Sequence, residues 1–331
     1  MLRQKHTSGF IVIGLLVTFT LGVFMAAKPA YAAATCGSTI TSNTALTGDL
    51  NCATPPGITI GANGITLNCA RHSITGPGSS LAGTGIDLSG RTKVTVKNCI
   101  VNNWVIGFEI SSSSGNVLAG NTASSNGVGF FFSSSSGNIL TGNTASNNKA
   151  FGFYLVGGSS QNTLNRNTAI GNIRNGFYFA GGSNQNVLTG NTAGNNGVIG
   201  FLFSSSSGNI LTGNTASNNK AVGFYFASSS SQNILTGNAA ISNVQSGFYF
   251  DTSSTNTLKA NIARGNGGDG FYLNALSSGN TLTLNAAISN EGYGYEDKSS
   301  GLGTAGTANR YVGNWAIGNK LGASNPPSLA R

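Results

Sequence analysis

A glycine followed by an aromatic or aliphatic residue returns at Gly85, Gly107, Gly129, Gly152, Gly176, Gly200, Gly223, Gly247, Gly270 and Gly294, in steps of 22 to 24 residues. A fixed period of this size marks a solenoid, in which each unit buries its apolar face only against its neighbours. The repetition is literal in places: SSSSGNILTGNTASNNKA fills Ser133–Ala150 and again Ser204–Ala221, an offset of 71 residues or three units.

Nine of the units carry N-x-[LY]-x-x-N-x-A-x-x-N, with the central asparagine running from Asn121 to Asn314. Three positions before it stands Leu, replaced only by Tyr311; two positions after it stands Ala, and five after it another Asn. Low-complexity disorder has no reason to hold apolar residues at fixed offsets. Length differences between units fall mostly in the Ser/Gly stretch after the anchor glycine, as expected of surface turns rather than registered strands.

The apolar spacing is that of strands. In GFYF at 176–179 and 223–226, alternate side chains share a face. Phe130/Phe132, Phe177/Phe179, Phe201/Phe203, Phe224/Phe226 and Phe248/Phe250 therefore form two inward columns. Closely spaced Asn, Ser and Gly oppose helix and suit turns. The expected fold is all-β: a single-chain parallel β-helix of about ten coils, with amides stacked along the rod and each buried ring contributing roughly 1.5–3 kcal/mol.

GNTASNNKAFGFYLVGGSSQNTLNRNTAIGN, starting at Gly142, resembles the PbH1 repeats of the right-handed β-helix superfamily, including its NosD-like periplasmic members. ITLNCARHSITGPG and VTVKNCIV, from Ile65 and Val94, resemble the first coils of exported members. Handedness is implied by this resemblance alone. It covers about Ile58 to Asn319 and is specific for fold, since the superfamily holds lyases, hydrolases, epimerases, binding proteins and adhesins. Copper delivery, associated with NosD-like members, is not carried over. Beyond residue 32 the chain has one His, no Met and four Cys, a poor set of copper ligands. No metal and no cofactor is expected.

Residues 1–32 read as a signal peptide: Arg3 and Lys5, an apolar run from Phe10 to Ala27, and the small-x-small site Ala30-Tyr31-Ala32. Cleavage leaves no membrane span and a protein that is secreted, periplasmic or on the cell surface. Residues 33–84 are expected to form an N-terminal cap and first coils, 85–319 the repeats, and 320–331 a tail. Cys36, Cys52, Cys69 and Cys99 allow three disulfide pairings; Cys36–Cys52 with Cys69–Cys99 is favoured, the second joining successive coils. Losing Arg3, Lys5 and Lys28 takes the formal charge from +9 to +6. No Lys/Arg cluster exists, so nucleic acid is not an expected partner.

The favoured function is non-catalytic binding of polysaccharide or cell-envelope glycan. Between the inward columns the outward residues read Phe131, Tyr154, Tyr178, Leu202, Tyr225, Tyr249 and Tyr272, an aromatic stripe suited to sugar rings. The blander reading is that these rings stack on one another and shield the sheet. Lys149, Arg174 and Lys220, followed by Asp269 and Glu291, occupy a corner before the anchor glycine, where cations suit acidic glycan groups and also ordinary solubility.

A polysaccharide lyase, hydrolase or epimerase is the alternative, and needs carboxylates at a fixed separation. Glu291, Glu296 and Asp297, with Asp269 one coil earlier, are the candidates; they flank the longest departure from the repeat, Gly294 to Asn309. His72 beside Arg71 has no evident partner and reads as a turn residue. A purely structural or adhesive rod is the third class. Threonines at 122, 144, 168, 192 and 215 and at 141, 189, 212 and 236 suggest ice binding as a minor alternative, weakened by the lack of close T-x-T pairs.

Overall fold

The computed structural model describes residues 33–78 and 83–331. The signal-peptide reading lies outside those residues. Every repeat is one coil of three short strands, illustrated by Phe177–Ala180, Val187–Thr189 and Thr192–Gly194. Like strands of successive coils pair in parallel, giving one sheet of 13 strands and two of 12. We call these the Phe, Leu and Ala faces after the side chains each turns inward. At a strand spacing of about 4.8 Å the 13-stranded face is about 58 Å long.

Ten of the thirteen strands follow the anchor glycines. The others, Ser38–Ile40, Ile58–Ile60 and Gly322–Asn325, come from the segments expected as N-terminal cap and first coils and as C-terminal tail. Beyond the last strand, Arg331 exchanges backbone hydrogen bonds with Asn314 and Ala316 across the final coil. Cys36–Cys52 and Cys69–Cys99 are the two disulfides, both at the N-terminal end. Among the described residues no helix is long and apolar enough to cross a membrane.

The core is columnar. Phe108, Phe130, Phe153, Phe177, Phe201, Phe224, Phe248, Phe271 and Tyr295 stack at 4.6–4.9 Å with interplanar angles of 3–7°. Coils therefore scarcely rotate on one another, an untwisted arrangement that sheets adopt when side-chain ladders hold them.

Those ladders are the recurring asparagines. Three runs, starting at Asn116, Asn121 and Asn126, turn the three corners of the coil and are buried. Within each, an Asn backbone N–H and, almost throughout, its Nδ2 donate to the Oδ1 of the next Asn along the rod, as Asn167 does to Asn191 at 2.9 and 3.0 Å. In most of these asparagines the Nδ2 also donates to a carbonyl of the preceding coil, as from Asn191 to Leu164 O at 2.9 Å. The corner between two strands thus exposes no unpaired amide to the interior.

Packing also explains the anchor glycine. A Cβ on Gly200 would stand 2.7 Å from the carbonyl oxygen of Gly223 and 2.9 Å from both Ala216 Cβ and Asn219 Nδ2. Gly, Ala and Asn, which recur in lockstep in the sequence, are three sides of one tight corner.

Candidate functional site

Strand alternation sends the residue between two buried Phe columns to the outer surface of the Phe face. In register, that column reads Asp87, Glu109, Phe131, Tyr154, Tyr178, Leu202, Tyr225, Tyr249, Tyr272 and Glu296. The aromatic stripe is real and half-buried, with carboxylates at both ends.

Its rings are not all free. Tyr154 and Tyr178 stack at 5.0 Å, and Tyr225 and Tyr249 at 4.9 Å, so these pairs cover one another's faces. The mutual stacking expected as the blander reading is therefore present. Two breaks leave ring surface available. Leu202 interrupts the stripe between Tyr178 and Tyr225, and a hollow of about 390 Å³ opens there, lined by Phe151, Arg174, Asn175, Tyr178, Val198, Ile199 and Leu202. Three coils on, Tyr272 stands edge-on to Tyr249 at 88°, beside a hollow of about 250 Å³ that both share with Asp269. Burial raises the hydroxyl pKa of Tyr154, Tyr249 and Tyr272. Tyr225 is pushed up further by burial and by its 3.0 Å hydrogen bond to Asp251. All four remain proton donors at neutral pH.

The second hollow is acidic. Tyr293 N–H donates to Asp269 Oδ1 at 2.7 Å. Burial, with Glu296 close enough to hydrogen-bond and to add its charge, pushes the Asp269 carboxyl up to about 6. Glu296 is itself held by Lys298 and by Asn325 Nδ2 at 3.3 Å. Asp251, one position beyond Phe250, accepts from the Tyr225 hydroxyl and adds its charge to the surroundings of Tyr249 and Tyr272.

The raised Asp269 pKa carries a stability prediction. Between about pH 4, the ordinary range of an aspartate, and about pH 6 the folded chain holds a proton that the unfolded chain has released. That contribution is complete below pH 4 and is lost as the pH rises through 6. Asp269→Asn, which keeps the acceptor for Tyr293, should flatten this part of the profile and raise the denaturation midpoint at pH 7–8 relative to wild type. Parallel denaturant titrations at pH 4, 6 and 8 check it.

The remaining candidates disperse. Glu291 is exposed on the neighbouring corner and pairs with Lys320 at 2.7 Å. Asp297 is 4% exposed and replaces Leu273 in the second inward column. There it accepts from Tyr311 and Asn309 at 2.9 Å and from the Ser299 backbone and hydroxyl at 2.9 and 2.6 Å. It fastens the long insertion to the core and is out of reach of a polymer on the surface. Tyr311, buried against this carboxylate, has its pKa raised well above the usual value by burial first and by Asp297 second.

The basic corner is not a cluster either. Backbone bonds to Asn126 and Asn196 place Lys149 and Lys220 in one column three coils apart, whereas Arg174, bonded to Ala150, lies one residue further along the coil. Arg174 alone borders the first hollow, its guanidinium 5.9 Å from the Phe151 ring.

His72 does meet a carboxylate, Asp49, at 3.4 Å near the N-terminal end. The Ser73 backbone N–H lowers the Asp49 pKa more than His72 does. Among the described residues, no group of three or more His, Cys, Asp or Glu side chains is placed to hold a metal. Asp251 was missed because it lies one position outside the aromatic signature, where the equivalent residue in the preceding coil is Ala227.

The family described as "Right handed beta helix region" matches residues 32–197 and 175–310. No curated protein sequence matches this chain. Among solved structures, a mutant of the periplasmic alginate epimerase AlgG superposes with a TM-score of 0.65 at 15% identity, over 85% of this chain and 75% of that one. The A-module of the mannuronan C-5 epimerase AlgE6 from Azotobacter vinelandii gives 0.58 at 17% identity, over 89% and 85%. The catalytic unit of a GH87 α-1,3-glucanase from Streptomyces thermodiastaticus gives 0.65 at 12% identity, over 85% and 60%. At such identities the likeness is one of fold. The coil, its three-sheet stacking and the match over most of the sequence place this chain in the right-handed β-helix family.

Proposed function

We propose that this is an exported protein that binds a linear polysaccharide along the outer Phe face, with the Tyr178–Leu202 and Tyr249–Tyr272 hollows as two subsites. The observation that carries the reading is the paired breaks in an otherwise self-stacked tyrosine stripe. They free aromatic surface at two points about 14 Å apart on one straight line, three strand spacings. Sugar rings stack on such surface, and the tyrosine hydroxyls and Arg174 supply polar contacts at its margin. The polysaccharide-acting neighbours support this ligand class, and two disulfides with the Ala30-Tyr31-Ala32 site support export to the periplasm, medium or cell surface.

Tyr178→Ala and Tyr272→Ala, one in each hollow, should each weaken binding about tenfold, the equivalent of ~1.4 kcal/mol. A glycan array followed by titration of the best polymer measures this, with Thr189→Ala on another face as control. Binding unchanged in both tyrosine variants would remove the reading.

A second reading rests on the Asp269–Glu296 pair. One carboxyl is raised toward neutrality beside another in a hollow on the same stripe, an arrangement suited to acid–base work on a bound glycan. It expects new reducing ends, unsaturated products or inverted uronates, lost in Asp269→Asn. Absence of both binding and turnover leaves a structural or adhesive rod.

A further inference from the structure

The outward surface of the Leu face carries two uncharged ranks of side chains over five successive coils. Its first rank runs Ile139, Thr163, Val187, Ile210 and Ile234, one residue per coil and all β-branched. Its second rank, two positions along each strand, runs Thr141, Asn165, Thr189, Thr212 and Thr236. Across these five coils neither rank holds a charge, and the second meets one only at Lys97 and Lys259, beyond its two ends. Ile139, Ile210 and Ile234 are 41–44% exposed, large apolar exposure for a rod that keeps its charges elsewhere. Close T-x-T pairs are scarce on this face, Thr281-Leu282-Thr283 being one, but an Ile-Leu-Thr strand also sets a methyl-bearing and a hydroxyl-bearing residue side by side on the outside.

This array is regular in two dimensions. The ring stacks inside the rod repeat at 4.6–4.9 Å with 3–7° between planes, so the face is flat over many coils. Along each strand the two ranks stand about 6.6 Å apart. Water joined tetrahedrally by O–H···O bonds of about 2.75 Å repeats at about 4.5 Å in one direction and about 7.3 Å in the perpendicular one. The mismatch along the rod, ~0.3 Å per coil, accumulates to only ~1.2 Å over five coils, less than half of one such bond.

Composition also separates this face from a protein-docking or sugar-stacking surface. Both depend on aromatic or Arg anchors, and neither rank has one.

We propose that the outward Leu face binds ice, taking an ordered water lattice as its ligand. Thr, Val and Ile methyls hold caged water in register, and the Thr hydroxyls and the Asn165 amide join its hydrogen-bond network. The polysaccharide reading concerns a different face, and the two stand or fall separately.

The test is inhibition of ice recrystallisation by the purified full chain across the micromolar range, with Thr212→Tyr and Thr189→Lys alongside and Tyr178→Ala as a control on the Phe face. Wild type and Tyr178→Ala should arrest crystal growth. Either face variant should need about tenfold more protein, because a gap of an ångström or less already forfeits much of each contact. Both substituted positions are exposed, and an unchanged far-UV circular dichroism spectrum confirms that the rod is intact. Wild-type protein that leaves recrystallisation untouched, or face variants as active as wild type, overturns the proposal. A wild-type dimer that Thr212→Tyr dissociates also overturns it, by assigning the face to a second copy of the chain.

Discussion

Asn191→Ala should lower the unfolding free energy by about 4 kcal/mol, although it deletes only a small uncharged group. Asn191 Oδ1 accepts from the backbone N–H and Nδ2 of Asn167, and its Nδ2 donates to Leu164 O and Asn214 Oδ1, all at 2.9–3.0 Å. Alanine makes none of these bonds, and the partners stay buried. Each orphaned polar group costs roughly 1–3 kcal/mol, and water has no route to a ladder with no exposed surface. Among the described residues no buried side-chain nitrogen or oxygen now lacks a partner, so the variant introduces a defect of a new kind. Guanidinium titration followed by circular dichroism measures the loss. Asn165→Ala, the same change two residues before Asn167 but on the outer surface, should fall within about 0.5 kcal/mol of wild type. A loss below about 1 kcal/mol for Asn191→Ala would mean that the ladder is open to solvent.

Phe201→Ala should cost about 3–5 kcal/mol through a different mechanism. The ring is fully buried between Phe177 at 4.7 Å and Phe224 at 4.8 Å, nearly parallel to both. The coils above and below are held by the Asn ladders and cannot close on the space, so the cavity term is near its maximum. Leu202→Ala, one residue on, lies on the outer side and should cost under about 1 kcal/mol. That in–out contrast between adjacent residues is a direct test of register by chemical denaturation; equal losses at 201 and 202 would contradict it. Coils in a solenoid touch only their neighbours. A defect at position 201 should therefore broaden the transition as well as shift it, letting the two ends melt apart.

The carboxylates show how far local pattern reaches. Asp269, Glu296 and Asp297 look alike in the sequence, and the last two are adjacent. Alternation along one strand turns Glu296 outward to meet Asp269 and turns Asp297 into the core against Tyr311. The strand was legible, but not the coil's path through the insertion that brings Tyr311 back over Asp297. Lys149 and Lys220 recur like a motif yet stand three coils apart, too far to grip one small anion together.

What the sequence determined was everything that repeats. Gly200, Ala216 and Asn219 meet at one corner, and because the same corner is built in each coil, the same three residue types return at the same offsets. A period is local information copied many times, so one chain suffices to read it. The tertiary structure decided what occurs once: which tyrosines cover one another, where Leu202 breaks the stripe, which carboxylates converge, and that the Leu face is flat. These follow from contacts between residues one or more coils apart, whose geometry depends on turn length and on the near-zero rotation set by the buried stacks. No single coil contains that information.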